Sequence, residues 1–169
     1  GKKLRTIAKN SPSSVAQMED LRQTPQMWLA RVMWQLVLNL IGDVDDKLVL
    51  DGKALKMADL DHHSDDMLKH IKHWAEVDLF LFYGEYKMAA KLVLQKENFE
   101  QFAGTKSEMY NRFHQCMVLF AMARRTRRYK YSRPAKKIAK RIHRWAVAGN
   151  PNVKHFDCML QAEQAALAR

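Results

Sequence analysis

Glycine and proline are scarce in this sequence, with six glycines and four prolines among 169 residues. A β-sandwich depends on many tight turns, and these two residues are prominent in such turns. Their scarcity therefore favours long helices and an all-α fold. Hydrophobic residues make up 47% of the chain, which is enough to bury a core and form a folded domain.

Cysteine is also rare, and neither Cys116 nor Cys158 lies in a CxxC motif or at the Cys/His spacing of a zinc site. Both residues fall inside helical hydrophobic patterns. We therefore predict two reduced, buried thiols, which is typical of proteins in a cytosolic compartment.

Long hydrophobic runs are absent. The most hydrophobic stretch, residues 27–41, contains Arg31, Gln35 and Asn39, and it is shorter than the ~20 residues that a membrane helix needs. The basic residues at positions 2–5 precede a polar stretch, whereas a secretory signal would continue with an apolar one. We expect a buried helix here, no membrane span, and a cytoplasmic protein.

Catalytic motifs are missing as well. The sequence has no G-x-S-x-G elbow, and His114 and Cys116 occupy helical positions that face different sides. Residues 103–107 (AGTKS) resemble a phosphate-binding loop but lack two glycines of the G-x-x-x-x-G-K-[ST] motif. We interpret them as the start of a helix. The sequence therefore predicts no enzymatic activity for this segment and no cofactor.

One histidine-rich stretch is a candidate metal site. Residues 61–66 read DHHSDD, and His70 and His73 follow on the same predicted helix. His63, His70 and His73 would share a face if the helix began early, but zinc ligands usually have fixed spacings such as H-E-x-x-H. A helix start capped by Ser64, with acidic residues in its first turn, fits the sequence better. We predict that no metal is bound.

The best-specified element is a helix–turn–helix hairpin over residues 74–91. Trp74 and Phe80 belong to an apolar surface at helical spacing, and Gly84 can adopt the left-handed conformation that ends a helix. The chain then restarts a helix from Glu85. We assign four aromatic side chains to packing, namely Trp74, Phe80, Tyr86 and Trp145.

Similar signals along the chain predict about seven helices in antiparallel pairs. Residues 1–23 are expected to form a basic and mixed, weakly helical segment, and residues 24–169 a helical-repeat domain. The predicted helix starts are at 11–14, at Thr24 with Pro25, at Ser64, at a capping box over 105–108, at Ser132 and Pro134 after a turn at 126–131, and at Asn150. The predicted helix ends are at Gly42, Gly84, about Lys96 and Gly149. A further short helix is predicted near 53–61. The last helical pattern has no partner and runs to Arg169, so we expect a fragment that is truncated at its C-terminus.

At Phe80, Gly84, Tyr86 and Ala89 the hairpin resembles the turn of tetratricopeptide repeats. The hairpins are spaced more widely than the ~34 residues of a regular tetratricopeptide repeat, and their spacing is nearer the ~40 to 47 residues of HEAT-like arrays. We therefore expect an irregular, tetratricopeptide-like α-solenoid.

A second resemblance covers most of the chain. It rests on the stretches LNLIGD (38–43), FYGEYKMAAKL (82–92), FHQCMVLFAMARRTRRYKY (113–131) and WAVAGNPNVKHFDCMLQAE (145–163). These resemble the helical-repeat region of large multidomain signalling ATPases and protein kinases, which also carry a kinase-like domain and a P-loop AAA-type ATPase module. Such proteins often have a glycine between paired helices, where this chain has Arg127. The resemblance implies a scaffold or regulatory region attached to a nucleotide-dependent enzyme, and it transfers no catalytic residue.

Positive charge is concentrated in residues 124–144, which we call the basic segment. It holds eleven Lys/Arg residues and no acidic residue, and this equals the formal net charge of +11 of the whole chain. An apolar stripe that includes Ala135, Ala139 and Ile142 should face the core, so the basic residues around it should face outward. The candidate recognition residues are Arg124, Arg125, Arg127, Arg128, Lys130, Arg133, Lys136, Lys137, Lys140, Arg141 and Arg144.

Several kinds of surface would fit this charge. We favour docking on an acidic protein surface, either of the same chain, such as the Asp-rich connector at 43–66, or of a separate partner. The alternative is a basic nucleic-acid-binding helical module, in which Tyr129 and Tyr131 would stack on bases. Attraction to a membrane surface and a merely solvated helix face are further interpretations. The sequence thus predicts a non-catalytic protein–protein interaction module or intramolecular regulatory scaffold.

Overall fold

A computed structural model of the chain describes residues 3–61, 66–95 and 105–168, with the side chains of residues 60 and 61 excepted. These residues form eight α-helices and one short 3-10 helix, and none of them lies in a β-strand. The elements are α1 (Leu4–Asp20), α2 (Thr24–Ile41), α3 (Met57–Asp61), α4 (Asp66–Phe82), α5 (Tyr86–Leu94), α6 (Lys106–Thr126), α7 (Tyr129–Val147), the 3-10 helix (Pro151–Val153) and α8 (Lys154–Ala168). The predicted all-α class is confirmed.

The chain divides into two compact units, residues 1–79 and residues 80–169. The predicted division after residue 23 stays a prediction. Ser64, the predicted cap of α4, and Lys96, the predicted end of the helix after Gly84, lie outside the described residues. Within the described helices, none is both long and apolar enough to cross a lipid bilayer.

In the first unit, α1 packs against α2. The predicted start of α1 at residues 11–14 is wrong, because the helix begins at Leu4 and continues through Pro12. Pro12 removes one backbone donor from the helix, and the helix nevertheless continues, with Val15 buried and α1 packed on α2. The predicted cap of α2 at Thr24 is also wrong by one position, since Gln23 occupies the cap and Thr24 is the first helical residue.

A buried pair of amide side chains on α2 holds the irregular connector at residues 43–56. Gln35 and Asn39 are fully buried. Asn39 donates its side-chain N–H groups to the backbone carbonyls of Lys47 at 3.1 Å and Val49 at 2.7 Å. Gln35 accepts from the backbone N–H of Ala54 at 3.0 Å. These bonds supplement the few backbone hydrogen bonds within the connector, such as that from the Gly52 N–H to the Leu55 carbonyl at 2.8 Å.

Four predicted helix boundaries are confirmed by backbone and side-chain geometry. Gly42 and Gly84 end α2 and α4 in the left-handed conformation, with φ of 81° and 75°. The Thr105 hydroxyl accepts from the backbone N–H of Glu108 at 3.1 Å and so caps α6. The Asn150 side chain caps the turn before α8 in the same way, accepting from Asn152 at 3.0 Å.

In the second unit, α6 packs against α5, α7 and α8. The predicted start of α7 at Ser132 and Pro134 is wrong, because the helix begins at Tyr129 and Pro134 lies inside it. The buried ring of Tyr131 ties this first turn to the core. The turn between α6 and α7 is therefore only two residues long, and Arg127 adopts the left-handed conformation there, with φ of 53°.

We expect Asn39→Leu to lower the free energy of unfolding by about 2–3 kcal/mol, because it leaves buried carbonyl groups of the connector without a donor. Urea denaturation of the purified chain would measure this. Gln17→Leu, at an exposed position of α1, serves as the matched control and should change stability by less than about 0.5 kcal/mol. Equal midpoints for Asn39→Leu and the wild type would contradict the assigned role of Asn39.

Arg127→Gly should raise the free energy of unfolding by about 0.5–1 kcal/mol, because glycine adopts the left-handed conformation without steric cost. Arg128→Gly removes the same charge at a neighbouring residue with φ of −86°, and its gain should be clearly smaller, because this N-cap position requires no left-handed conformation. The two variants would be compared by thermal and urea denaturation. A gain for Arg128→Gly that matches the gain for Arg127→Gly would disprove the conformational explanation.

Candidate functional site on helix 7

The inner side of α7 is set by four residues with buried side chains. Tyr131, Ala135, Ala139 and Ile142 are all buried, and α7 packs mainly against α6. The apolar stripe predicted from the sequence therefore does face the core along most of its length. The aromatic ring of Trp145, at the edge of the stripe, is half-buried.

Ten of the eleven predicted basic residues are exposed, and Arg141 is half-buried. They surround the turn between α6 and α7 and continue along the solvent side of α7. The charge and the apolar residues are separated more sharply in α7 than in the other long helices described. The outward direction expected for these residues is thus observed, while their role in recognition stays a prediction.

Three of the eleven basic residues are already used inside the second unit. Arg141 lies 2.8 Å from the Glu108 carboxylate, and Arg124 lies 3.0 Å from the Glu163 carboxylate. Arg127 donates to the backbone carbonyl of Leu167 at 3.4 Å. The two ion pairs connect α6 to α7 and to α8, so we assign Arg124 and Arg141 mainly to structure. The hydrogen bond of Arg127 is long and exposed, and it is the weakest of the three contacts.

Two more basic residues lie over aromatic rings. The Arg125 guanidinium is 4.5 Å from the centre of the Tyr86 ring, and the Lys130 ammonium is 4.8 Å from the centre of the Tyr131 ring. Both cations remain exposed, and a cation–π contact at an exposed site contributes only about 0.5–1 kcal/mol. These side chains are therefore still available to an anionic partner.

The remaining six basic residues form no ion pair with any other residue that the structure describes. They are Arg128, Arg133, Lys136, Lys137, Lys140 and Arg144. Five of them lie on α7. An exposed cluster of guanidinium and ammonium groups offers many hydrogen-bond donors and no acceptor, so its chemistry suits carboxylate or phosphate groups.

Two exposed apolar side chains lie on the same side of α7, and the sequence pattern alone did not single them out as a pair. Tyr129 is 71% exposed at the start of the helix, and Val147 is 73% exposed at its end. Their separation of 18 residues, which is five helical turns, could have revealed the pair. We define the outer face of α7 as Tyr129, Lys130, Arg133, Lys136, Lys137, Lys140, Arg144 and Val147.

The candidate histidine cluster does not gather into a metal site in the described part of the chain. His70 and His73 are buried and contact the Trp74 ring edge-on, and the indole N–H lies 2.6 Å from Nε2 of His70. Burial, together with the neighbouring His73, lowers the pKa of His70 to about 4. His63 lies outside the described residues, and those that are described include no group of three or more metal-ligating side chains.

The two cysteines differ in their surroundings, and this corrects one prediction. Both are free thiols, but only Cys116 is buried, whereas Cys158 is exposed on α8. The Cys116 thiol lies 3.2 Å from the backbone carbonyl of Ala135, and burial raises its pKa to about 12. Helical periodicity misplaced Cys158 because an outward position of α8 is occupied by a residue of hydrophobic character.

Comparisons with known proteins identify no relative of this chain. No family model matches the sequence, and neither a curated protein nor a solved structure matches it.

We predict that a thiol reagent at pH 8 titrates one cysteine per native chain and two per denatured chain, because Cys158 is exposed, whereas Cys116 is buried and its pKa is raised. Cys158→Ser should abolish the rapid reaction of the native protein, and Cys116→Ser should leave it unchanged. Rapid labelling of Cys116 in the folded protein would contradict the packing described for α6 and α7.

Proposed function

We propose that this chain is a non-catalytic interaction module that docks on an acidic protein surface through the outer face of α7. The main support is that five basic side chains of this helix point away from the core and form no ion pair with a described residue. A partner with carboxylates would supply the missing anions. Single exposed ion pairs contribute only about 0.2–1 kcal/mol each, so useful affinity requires the whole set.

We further propose that the module is an irregular, tetratricopeptide-like solenoid within a larger cytosolic signalling ATPase or kinase. The packing of α6 on both α7 and α8 supports this arrangement, because repeat arrays place each helix against its pair and against the next repeat. The sequence resemblance described above supports the parent protein. Two free thiols are consistent with a reducing, cytosolic compartment.

Nucleic-acid binding is the second candidate. The exposed ring of Tyr129 next to Arg128 and Lys130 favours it, because an aromatic ring among cations can stack on a base. Val147 favours a protein instead, since an exposed aliphatic side chain on the same side of the helix has no counterpart in a phosphate backbone. We therefore place a protein partner first.

The test uses poly-L-glutamate as an acidic polypeptide and a duplex DNA as the competing polyanion. We expect the chain to bind poly-L-glutamate with an affinity that falls as the salt concentration rises. Lys137→Glu/Lys140→Glu should weaken this binding at least about tenfold, because the double variant changes the charge of the site by four units. Fluorescence anisotropy of the labelled polymer would measure the binding.

The matched control is Lys87→Glu/Lys91→Glu, two exposed lysines one turn apart on α5. It changes the net charge by the same amount outside the proposed site, and it should retain most of the affinity. Equal losses for the two double variants would contradict docking through α7. Tighter, α7-dependent binding of the DNA would replace the protein partner with the nucleic-acid alternative.

A further inference from the structure

The basic residues of the outer face of α7 follow two rows along the helix axis. Lys130, Lys137 and Arg144 are seven residues apart, and so are Arg133 and Lys140. Residues at this spacing stay on one side of a helix, with a drift of about 20° per heptad. The two rows together place a positive charge every three or four residues, which is about 4.5 to 6 Å along the axis.

The two apolar residues bracket these rows. Tyr129 and Val147 are separated by five turns, or about 27 Å, and point to the same side of α7. Both are among the most exposed large hydrophobic side chains in the described chain. The outer face therefore has a charged centre and an apolar contact point at each end.

We propose that the outer face of α7 binds an acidic α-helix of about five turns that lies along it. The partner helix would carry Asp or Glu at alternating three- and four-residue intervals, with an apolar residue near each end. This inference rests on the proposed function, and it specifies the conformation and the pattern of the acidic partner.

The spacing of the charges favours a helix over other acidic partners. Carboxylates at three- and four-residue intervals on a helix rise by the same 4.5 to 6 Å as the cations of α7. An extended strand presents side chains to one face only every ~6.7 Å, so it falls out of register over the 14 residues from Lys130 to Arg144. The charges of duplex DNA follow one another every ~1.7 Å along its axis, and nothing on its backbone matches Val147.

The chain itself does not offer such a helix in its described part. Within residues 43–56, the exposed aspartates Asp43, Asp45 and Asp46 lie in a segment without helical structure. The following helix α3, which carries Asp59, is only five residues long. Lys47, Lys53 and Lys56 in the same connector offset much of their charge. The described residues therefore do not supply the partner helix, and we assign it to another polypeptide segment.

The test compares two synthetic 20-residue peptides of identical composition. In the first, glutamates recur at three- and four-residue intervals on one face, with leucine near each end; in the second, the same residues are distributed around the helix. Circular dichroism would establish equal helicity. We expect the first peptide to bind the 169-residue chain about tenfold more tightly than the second, as measured by fluorescence anisotropy. Five glutamates would each face one cation of α7, and each such ion pair contributes a small increase in affinity.

A second pair of variants tests the apolar ends. Tyr129→Ser/Val147→Ser should weaken the binding of the first peptide, called the patterned peptide, at least about threefold. The same double variant should leave the binding of duplex DNA unchanged. Met88→Ser/Leu94→Ser on α5 removes two other exposed apolar side chains and should have no effect on the peptide. An equal effect of both variants on the peptide would overturn the role of the two ends.

The outcomes separate this inference from the proposed function. If both peptides bind with equal affinity and both lose it in Lys137→Glu/Lys140→Glu, the proposed matching of charges along two helices is wrong. Docking through α7 would then still stand. Absence of binding by either peptide and by poly-L-glutamate would overturn both. Tighter binding of duplex DNA than of the patterned peptide would replace the helical partner by a nucleic acid.

Discussion

The position of α7 against α6 rests on its buried apolar side and on one buried carboxylate. Glu108, in the first turn of α6, is 6% exposed and lies 2.6 Å from Arg112 of its own helix and 2.8 Å from Arg141 of α7. A buried charge that loses its partner typically costs about 3–5 kcal/mol, so this contact restricts rotation of α7 about its axis. On the opposite side of α7 from Arg141, His143 lies 3.0 Å from the Asp157 carboxylate of α8. With both sides held, the remaining basic residues can only point outward.

That outward face is not arranged for stability. Arg133 with Lys137, Lys136 with Lys140, and Lys140 with Arg144 place like charges four residues apart, and each such pair costs a helix about 0.2–0.5 kcal/mol. No acidic residue occurs between Glu108 and Asp157 in the sequence to relieve this repulsion. An excess of one charge that the fold itself does not need supports the proposal that a partner supplies the opposite charge.

The sequence was most informative where local chemistry decides the structure. Gly84 and the Thr105 cap were predicted correctly because a left-handed glycine and a capping hydroxyl act on their own backbone. The outward direction of the basic residues followed from helical periodicity. Tertiary packing decided the remaining features, including the passage of α1 through Pro12 and the support of the connector by Gln35 and Asn39. The exposure of Cys158 likewise depends on which side of α8 meets its neighbours.

Docking through the outer face of α7 is tested most directly by chemical footprinting of the lysine side chains. An acylating reagent would be applied to the free chain and to the chain saturated with the patterned acidic peptide, and the modified sites would be quantified by mass spectrometry. If the outer face of α7 is the docking surface, the peptide protects Lys136, Lys137 and Lys140, while Lys87 and Lys91 keep their reactivity. Unchanged reactivity of the α7 lysines in the bound chain would show that the peptide binds elsewhere, and the outer face of α7 would not be the docking surface.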